Sequence, residues 1–107
     1  MELCMICAKD VSRYVREKDA ILIDLRDEEE YREFHIPGAI SVPTENLAQF
    51  MRRTDKRRLH IFYCDHGVLS IQEGRRYLRQ GYRICSLAGG IDAYLRQRYR
   101  AENFPWR

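Results

Sequence analysis

Four cysteines and three histidines are the residues in this 107-residue chain whose spacing decides what chemistry they can do. Cys64 stands in Tyr63-Cys64-Asp65-His66-Gly67-Val68-Leu69-Ser70, directly after the apolar run Leu59-His60-Ile61-Phe62. A cysteine between a strand end and a helix start is suited to nucleophilic work. Only the thiolate attacks, and unpaired backbone N–H groups at a helix N-terminus favour the anion. Gly67 allows the loop to close tightly, so that successive amides can point at one sulfur atom. Ser70, followed by Glu73 three positions on, has the form of a helix cap. The same position also suits a small buried hydrophobe, as free cysteines often are, and spacing alone leaves both readings open.

The remaining candidates point to weaker chemistry. Cys4-Met5-Ile6-Cys7 has the spacing of a dithiol or half a zinc site. No second paired motif accompanies it, and His35, His60 and Cys85 fall on separate segments. No metal is therefore expected; Met5-Ile6 reads as a short first strand with Cys7 at a helix cap. Cys85 lies mid-strand, where a thiol is buried and inert. His66 beside the nucleophile changes charge near neutral pH, and reads equally as an exposed loop side chain or an aid to Cys64.

The elements that must position Cys64 follow from the apolar pattern. Val11, Tyr14 and Val15 have helical spacing after Asp10 and predict a helix over 8–17. Ala20–Leu25 is a short β-branched run, hence a buried strand. Asp27 with Glu28-Glu29-Glu30 predicts a short helix start that Pro37-Gly38 cuts off. Ala39–Val42 predicts a brief strand, and Thr44 a capped helix burying Leu47, Phe50 and Met51. Leu59–Cys64 is the next strand, Asp65–Ser70 a loop, and Ile71–Gln80 a helix stopped at Gly81. Arg83–Leu87 predicts another strand, Ala88-Gly89-Gly90 a tight turn, and Ile91–Arg100 a last helix. Strands alternating with helices predict an α/β fold: a mostly parallel central sheet with helices on both faces. Ligands bind beyond the carboxyl ends of such strands, and that is where Cys64 falls.

Composition narrows the function classes. Apolar residues are 45% and charged residues 33%, an ordinary globular balance, and the length fits one domain over 1–107. A chain of this size buries a core without disulfides or metal. The net charge of +3 is small and its arginines are scattered, which argues against nucleic-acid binding. No apolar run reaches membrane-spanning length, and Met1–Cys7 lacks the pattern of a signal peptide. A cytoplasmic location with reduced thiols is the expectation.

Taken together, the motifs resemble the rhodanese family. Ile23-Asp24-Leu25-Arg26, Glu30-Tyr31 and His35-Ile36-Pro37-Gly38-Ala39-Ile40 are similar to its N-terminal signature. Tyr63–Ser70 resembles its active-site loop, and Leu87-Ala88-Gly89-Gly90 its late glycine turn. The blocks occur in family order over a core of about 5–100, leaving 101–107 as a tail. The resemblance is strongest to the small single-domain bacterial thiosulfate sulfurtransferases.

The resemblance implies a persulfide on Cys64, with Asp65, His66, Gly67, Val68, Leu69 and Ser70 as the substrate-binding loop. It implies a small sulfur-containing anion or a persulfide as donor, and a thiol, protein cysteine or cyanide as acceptor. No cofactor is needed, because the persulfide is the carrier. Asp24 and Arg26 resemble a supporting pair that ties strand ends together, and His35 with Gly38-Ala39 looks like scaffold. Two departures bear on the donor. Many active members carry arginine where this chain has Leu69, and thiosulfate users often have basic residues where Asp65-His66 stand. Asp65 repels an anionic donor and opposes the Cys64 thiolate. The alternatives are a catalytically weak binding or regulatory module, and a phosphatase of the cell-cycle dual-specificity type. The latter needs an arginine six positions after the cysteine to grip phosphate, and that position is Ser70.

Overall fold

The computed structural model describes residues 2–103. Five strands, β1 (Cys4–Ile6), β2 (Ile21–Asp24), β3 (Ile40–Ser41), β4 (Leu59–Tyr63) and β5 (Arg83–Leu87), form one sheet in the order β1-β5-β4-β2-β3. Every pairing is parallel. The connections carry α1 (Val11–Glu17, entered through a 3₁₀ turn at Ala8–Asp10), α2 (Glu28–Glu33), α3 (Thr44–Arg53) and α4 (Val68–Leu78). A final helix, α5 (Gly90–Asn103), follows β5.

Strand alternation divides the core in two. Leu22, Ile61, Tyr63, Cys85 and Leu87 face Val11, Ile36, Ile91 and Tyr94 on one side. Ile23, Phe62 and Ile84 face Leu47, Met51 and Tyr77 on the other. Because both faces are covered, the central strands read as continuous apolar runs rather than alternating ones. Burying each such side chain stabilises the fold by about 1.5–3 kcal/mol relative to leaving it exposed. A polar residue inside these runs therefore stands out. His60 is fully buried; its Nε2 lies 2.9 Å from Thr54 Oγ1 and its Nδ1 3.2 Å from the Arg83 carbonyl. Burial holds its imidazole below the ordinary histidine range.

Several expected boundaries move. The helix after the cysteine starts at Val68 rather than Ile71, because Gly67 takes the left-handed conformation (φ +103°) and turns the chain into the helix at once. Ser70 consequently lies inside the first turn and is no cap; the capping position is Gly67. Asp27 does cap α2 by position, but its side chain makes no capping hydrogen bond. Thr44 opens α3 as its first residue, with Pro43 at the cap, and Phe50 is only half-buried. The last helix extends to Asn103, so 101–103 are helical rather than tail; residues 104–107 of that predicted tail lie outside the described residues. Gly81 has φ +93°, in keeping with a helix stop. No helix among the described residues is long and apolar enough to cross a membrane.

Candidate active site

β4 delivers Cys64 to the carboxyl end of the sheet, where its side chain is buried with 5% exposure. The backbone N–H groups of Gly67 and Ser70 both donate to Cys64 Sγ at 3.3 Å. Each belongs to the turn that opens α4, so neither has an intrahelical acceptor and both are free for the sulfur. Two amides and the positive end of an eleven-residue helix thus converge on one atom. The arrangement suits a sulfur that carries negative charge, as a thiolate does.

The loop is held from behind by the start of α5. Ile91 N–H donates to the Cys64 carbonyl at 2.9 Å and Asp92 N–H to the Asp65 carbonyl at 3.2 Å. The two backbones approach so closely that a Cβ at Gly90 would lie 2.5 Å from both carbonyl oxygens. Gly90 also has φ +64°, so glycine is required there on both counts. The glycine turn seen in the sequence is the clamp on the cysteine loop.

In front of Cys64 opens a cavity of about 350 Å³ lined by Arg26, Glu30, Asp65, His66, Val68 and Leu69, among others. Arg26 is its buried basic wall and is held from behind by the fully buried Asp24. Asp24 Oδ1 accepts from the Arg26 N–H at 2.9 Å and from Nε at 3.1 Å, and Oδ2 accepts from Nη2 at 2.9 Å. Arg26 Nη2 also donates to the Phe34 carbonyl at 2.6 Å. The guanidinium is thereby committed to its neighbours. Leu69 packs on the second core while lining the cavity, Val68 is exposed, and His66 lies exposed with Nδ1 3.8 Å from Asp92 Oδ2. Of the loop residues named from sequence, Asp65, His66, Val68 and Leu69 reach the cavity; Gly67 and Ser70 lie beneath it against the sulfur.

A scan against family models matches residues 8–97 to the rhodanese-like domain. The chain belongs to the rhodanese-like family. Thiosulfate sulfurtransferase GlpE of Coxiella burnetii (strain RSA 493 / Nine Mile phase I) is 30% identical over 81 residues, spanning 75% of this chain and 76% of that protein. A tRNA sulfurtransferase of Pyrobaculum aerophilum is 31% identical over 68 residues, 64% of this chain but only 14% of that protein. Among solved structures, a rhodanese-related protein from Thermoplasma volcanium superposes with a TM-score of 0.77 at 22% identity, covering 95% of each chain. That likeness shows the rhodanese-like α/β fold, and the two relatives carry sulfurtransferase names.

Two features of this rhodanese-like site escaped sequence reasoning. The sequence places Glu30 only near the helix dipole, yet it lines the cavity together with Asp65; burial and that neighbouring carboxylate push its carboxyl up. Ser86 reads in the sequence as one more residue of β5, yet it is fully buried and its Oγ is 2.7 Å from Ser70 Oγ. The one available signal was a hydroxyl inside an otherwise apolar strand. The Cys4–Cys7 spacing has a different outcome: both thiols are exposed, and Cys4 sits in register opposite Cys85 on the neighbouring strand. Burial, with the adjacent Cys4, pushes the Cys85 thiol up to about 12, far from any reactive range. No cluster of three metal-ligating side chains occurs among the described residues.

Proposed function

We propose that this chain is a sulfurtransferase that carries a sulfane sulfur on Cys64. The observation that carries the proposal is the pair of amide hydrogen bonds at 3.3 Å on a buried cysteine sulfur facing an open cavity. In the first step the Cys64 thiolate attacks the outer sulfur of a donor. The donor's S–S bond breaks and its electron pair leaves with sulfite, from thiosulfate, or with a thiolate, from a polysulfide or protein persulfide. In the second step a thiolate or cyanide attacks the outer sulfur, and the electron pair of the Cys64 S–S bond returns to Sγ. The Gly67 and Ser70 amides stabilise that sulfur in each charged state, as an oxyanion hole does oxygen. No cofactor enters either step, and reduced thiols of this kind suit a cytoplasmic location.

Asp65 and Glu30 beside the cavity, with Arg26 already neutralised by Asp24, favour a donor of low negative charge. A polysulfide or protein persulfide fits better than the thiosulfate dianion. The phosphatase alternative finds no support, since Ser70 occupies the position of the clamping arginine and is fully buried. Intact-protein mass spectrometry after exposure to polysulfide and to thiosulfate tests the proposal. Cys64 is expected to gain one sulfur atom, readily from polysulfide. Failure to gain sulfur from any donor would leave the chain as a rhodanese-like binding module.

A further inference from the structure

Beneath Cys64 lies a pair of hydroxyls that the chemistry above does not use. Ser70 and Ser86 are both fully buried, come from α4 and β5, and have Oγ atoms 2.7 Å apart. Around Ser70 Oγ stand three neighbours: Ser86 Oγ, the Gly67 carbonyl at 3.3 Å and Cys64 Sγ at 3.6 Å. Around Ser86 Oγ, the one hydrogen-bond partner among the described residues is Ser70.

A hydroxyl has a single proton, so the pair can be wired in two ways. If Ser70 donates to Ser86, the Ser86 proton is buried with no acceptor among the described residues, which is costly. If Ser86 donates to Ser70, every proton is placed, and the Ser70 proton is left for either the Gly67 carbonyl or the Cys64 sulfur. The second wiring wins on satisfaction alone.

We propose that Ser86 is a positioning residue for Cys64: by donating to Ser70 Oγ it frees the Ser70 proton to turn onto Cys64 Sγ whenever that sulfur is negatively charged. With Cys64 as a thiol, its S–H donates to Ser70 Oγ, and the Ser70 proton rests on the Gly67 carbonyl. With Cys64 as a thiolate, the Ser70 hydroxyl rotates and donates to Sγ. No proton changes owner; one hydroxyl turns by about one rotamer well. The deepest demand comes when an acceptor takes the outer sulfur and the S–S electron pair returns to Sγ. In that step the relay adds a third donor to the two amides. This last consequence rests on the sulfur-transfer reading above, whereas the relay itself does not.

The test is therefore made on the reduced protein without any sulfur donor. The rate of Cys64 alkylation by iodoacetamide is followed against pH, resolved by peptide mass spectrometry so that Cys4, Cys7 and Cys85 do not interfere. Ser86→Ala is expected to move the midpoint of the profile upward by about half to one pH unit. Ser70→Ala should move it at least as far, and adding Ser86→Ala to Ser70→Ala should move it no further. A merely structural Ser86 would lower Tm and leave the midpoint in place, and independent effects would add in the double variant. Either result overturns the relay. If Ser86→Ala does not fold, Ser86→Thr and Ser86→Val, which share a shape and differ in the hydroxyl, give the same comparison; equal midpoints refute it. Absence of sulfur uptake by Cys64 would sink the sulfurtransferase proposal and leave this measurement intact.

Discussion

The charge at the mouth of the Cys64 cavity makes the most demanding prediction. Asp65 and Glu30 both line it, while Arg26 is held by Asp24 with a 2.9 Å contact and offers no free charge. Removing one carboxylate by Asp65→Asn takes away a like charge at ~6 Å from an anionic donor. At that separation a pair of unit charges repels by about 0.7 kcal/mol in bulk water and about 2.8 kcal/mol at an effective dielectric of about 20. Asp65 is half-buried beside open cavity, so screening keeps the effect near the lower end, about 1 kcal/mol. That corresponds to about a fivefold rise in kcat/KM for thiosulfate. Leu69→Arg should act in the same direction, because Leu69 lines the cavity and the new guanidinium has somewhere to go. Thiocyanate formation from thiosulfate and cyanide measures both variants, with an uncharged organic trisulfide donor as control. The gain should shrink as salt is raised and be nearly absent with the neutral donor. If neither variant improves thiosulfate use, or the unaltered protein already turns it over at the rate of efficient enzymes, the electrostatic reasoning is wrong.

The other expectations are simpler to read. Cys64→Ser should abolish thiocyanate formation from any donor, while Cys4→Ser, Cys7→Ser and Cys85→Ser retain most of it. Aryl phosphates should not be hydrolysed above background in a colorimetric assay, since no arginine stands in the loop between Cys64 and Arg75. Gly90→Ala should destabilise the protein by at least about 2 kcal/mol in denaturant titration, because its Cβ meets the Cys64 and Asp65 carbonyls and its φ is positive. His60 predicts an acid limb in stability. Its folded value is depressed by burial, so the unfolded chain binds the proton first; the stabilisation is present above the unfolded value of about 6.5 and is lost as pH falls below it. Thermal melts between pH 7 and pH 5 should show the loss, and His60→Gln should flatten it. Glu30, raised by burial, works in the opposite sense within the carboxylate range.

How far the sequence reaches depends on whether a feature is local. The span Arg83–Leu87 is legible at both ends because glycines and charged residues bound a run of strand formers. Cys64 is legible because a cysteine, a glycine and a helix start follow one another within seven residues. The start of α4 is misplaced by three residues because Val68-Leu69-Ser70 carries no helical period of its own; its turn is set by the conformation of Gly67. Side-chain caps at Asp27 and Ser70 are absent because each signature is a propensity that tertiary contacts override. Ser86 with Ser70, and Glu30 with Asp65, are pairings across 16 and 35 positions respectively, made when separate elements dock. No spacing rule in a single chain reports them.

The grip of α5 on the cysteine loop also has a temporal side. Cys64 leaves the ribosome well before Gly90, Ile91 and Asp92, whose backbones hold its loop carbonyls. β5, which pairs with β4 and alone bridges β1 to the rest of the sheet, emerges in the same late stretch. During vectorial synthesis Cys64 is thus present before the loop that carries its amide cradle is locked. The grip on the loop carbonyls is complete only when β5 and the start of α5 dock, so a product ending before residue 90 is expected to hold Cys64 less firmly in place.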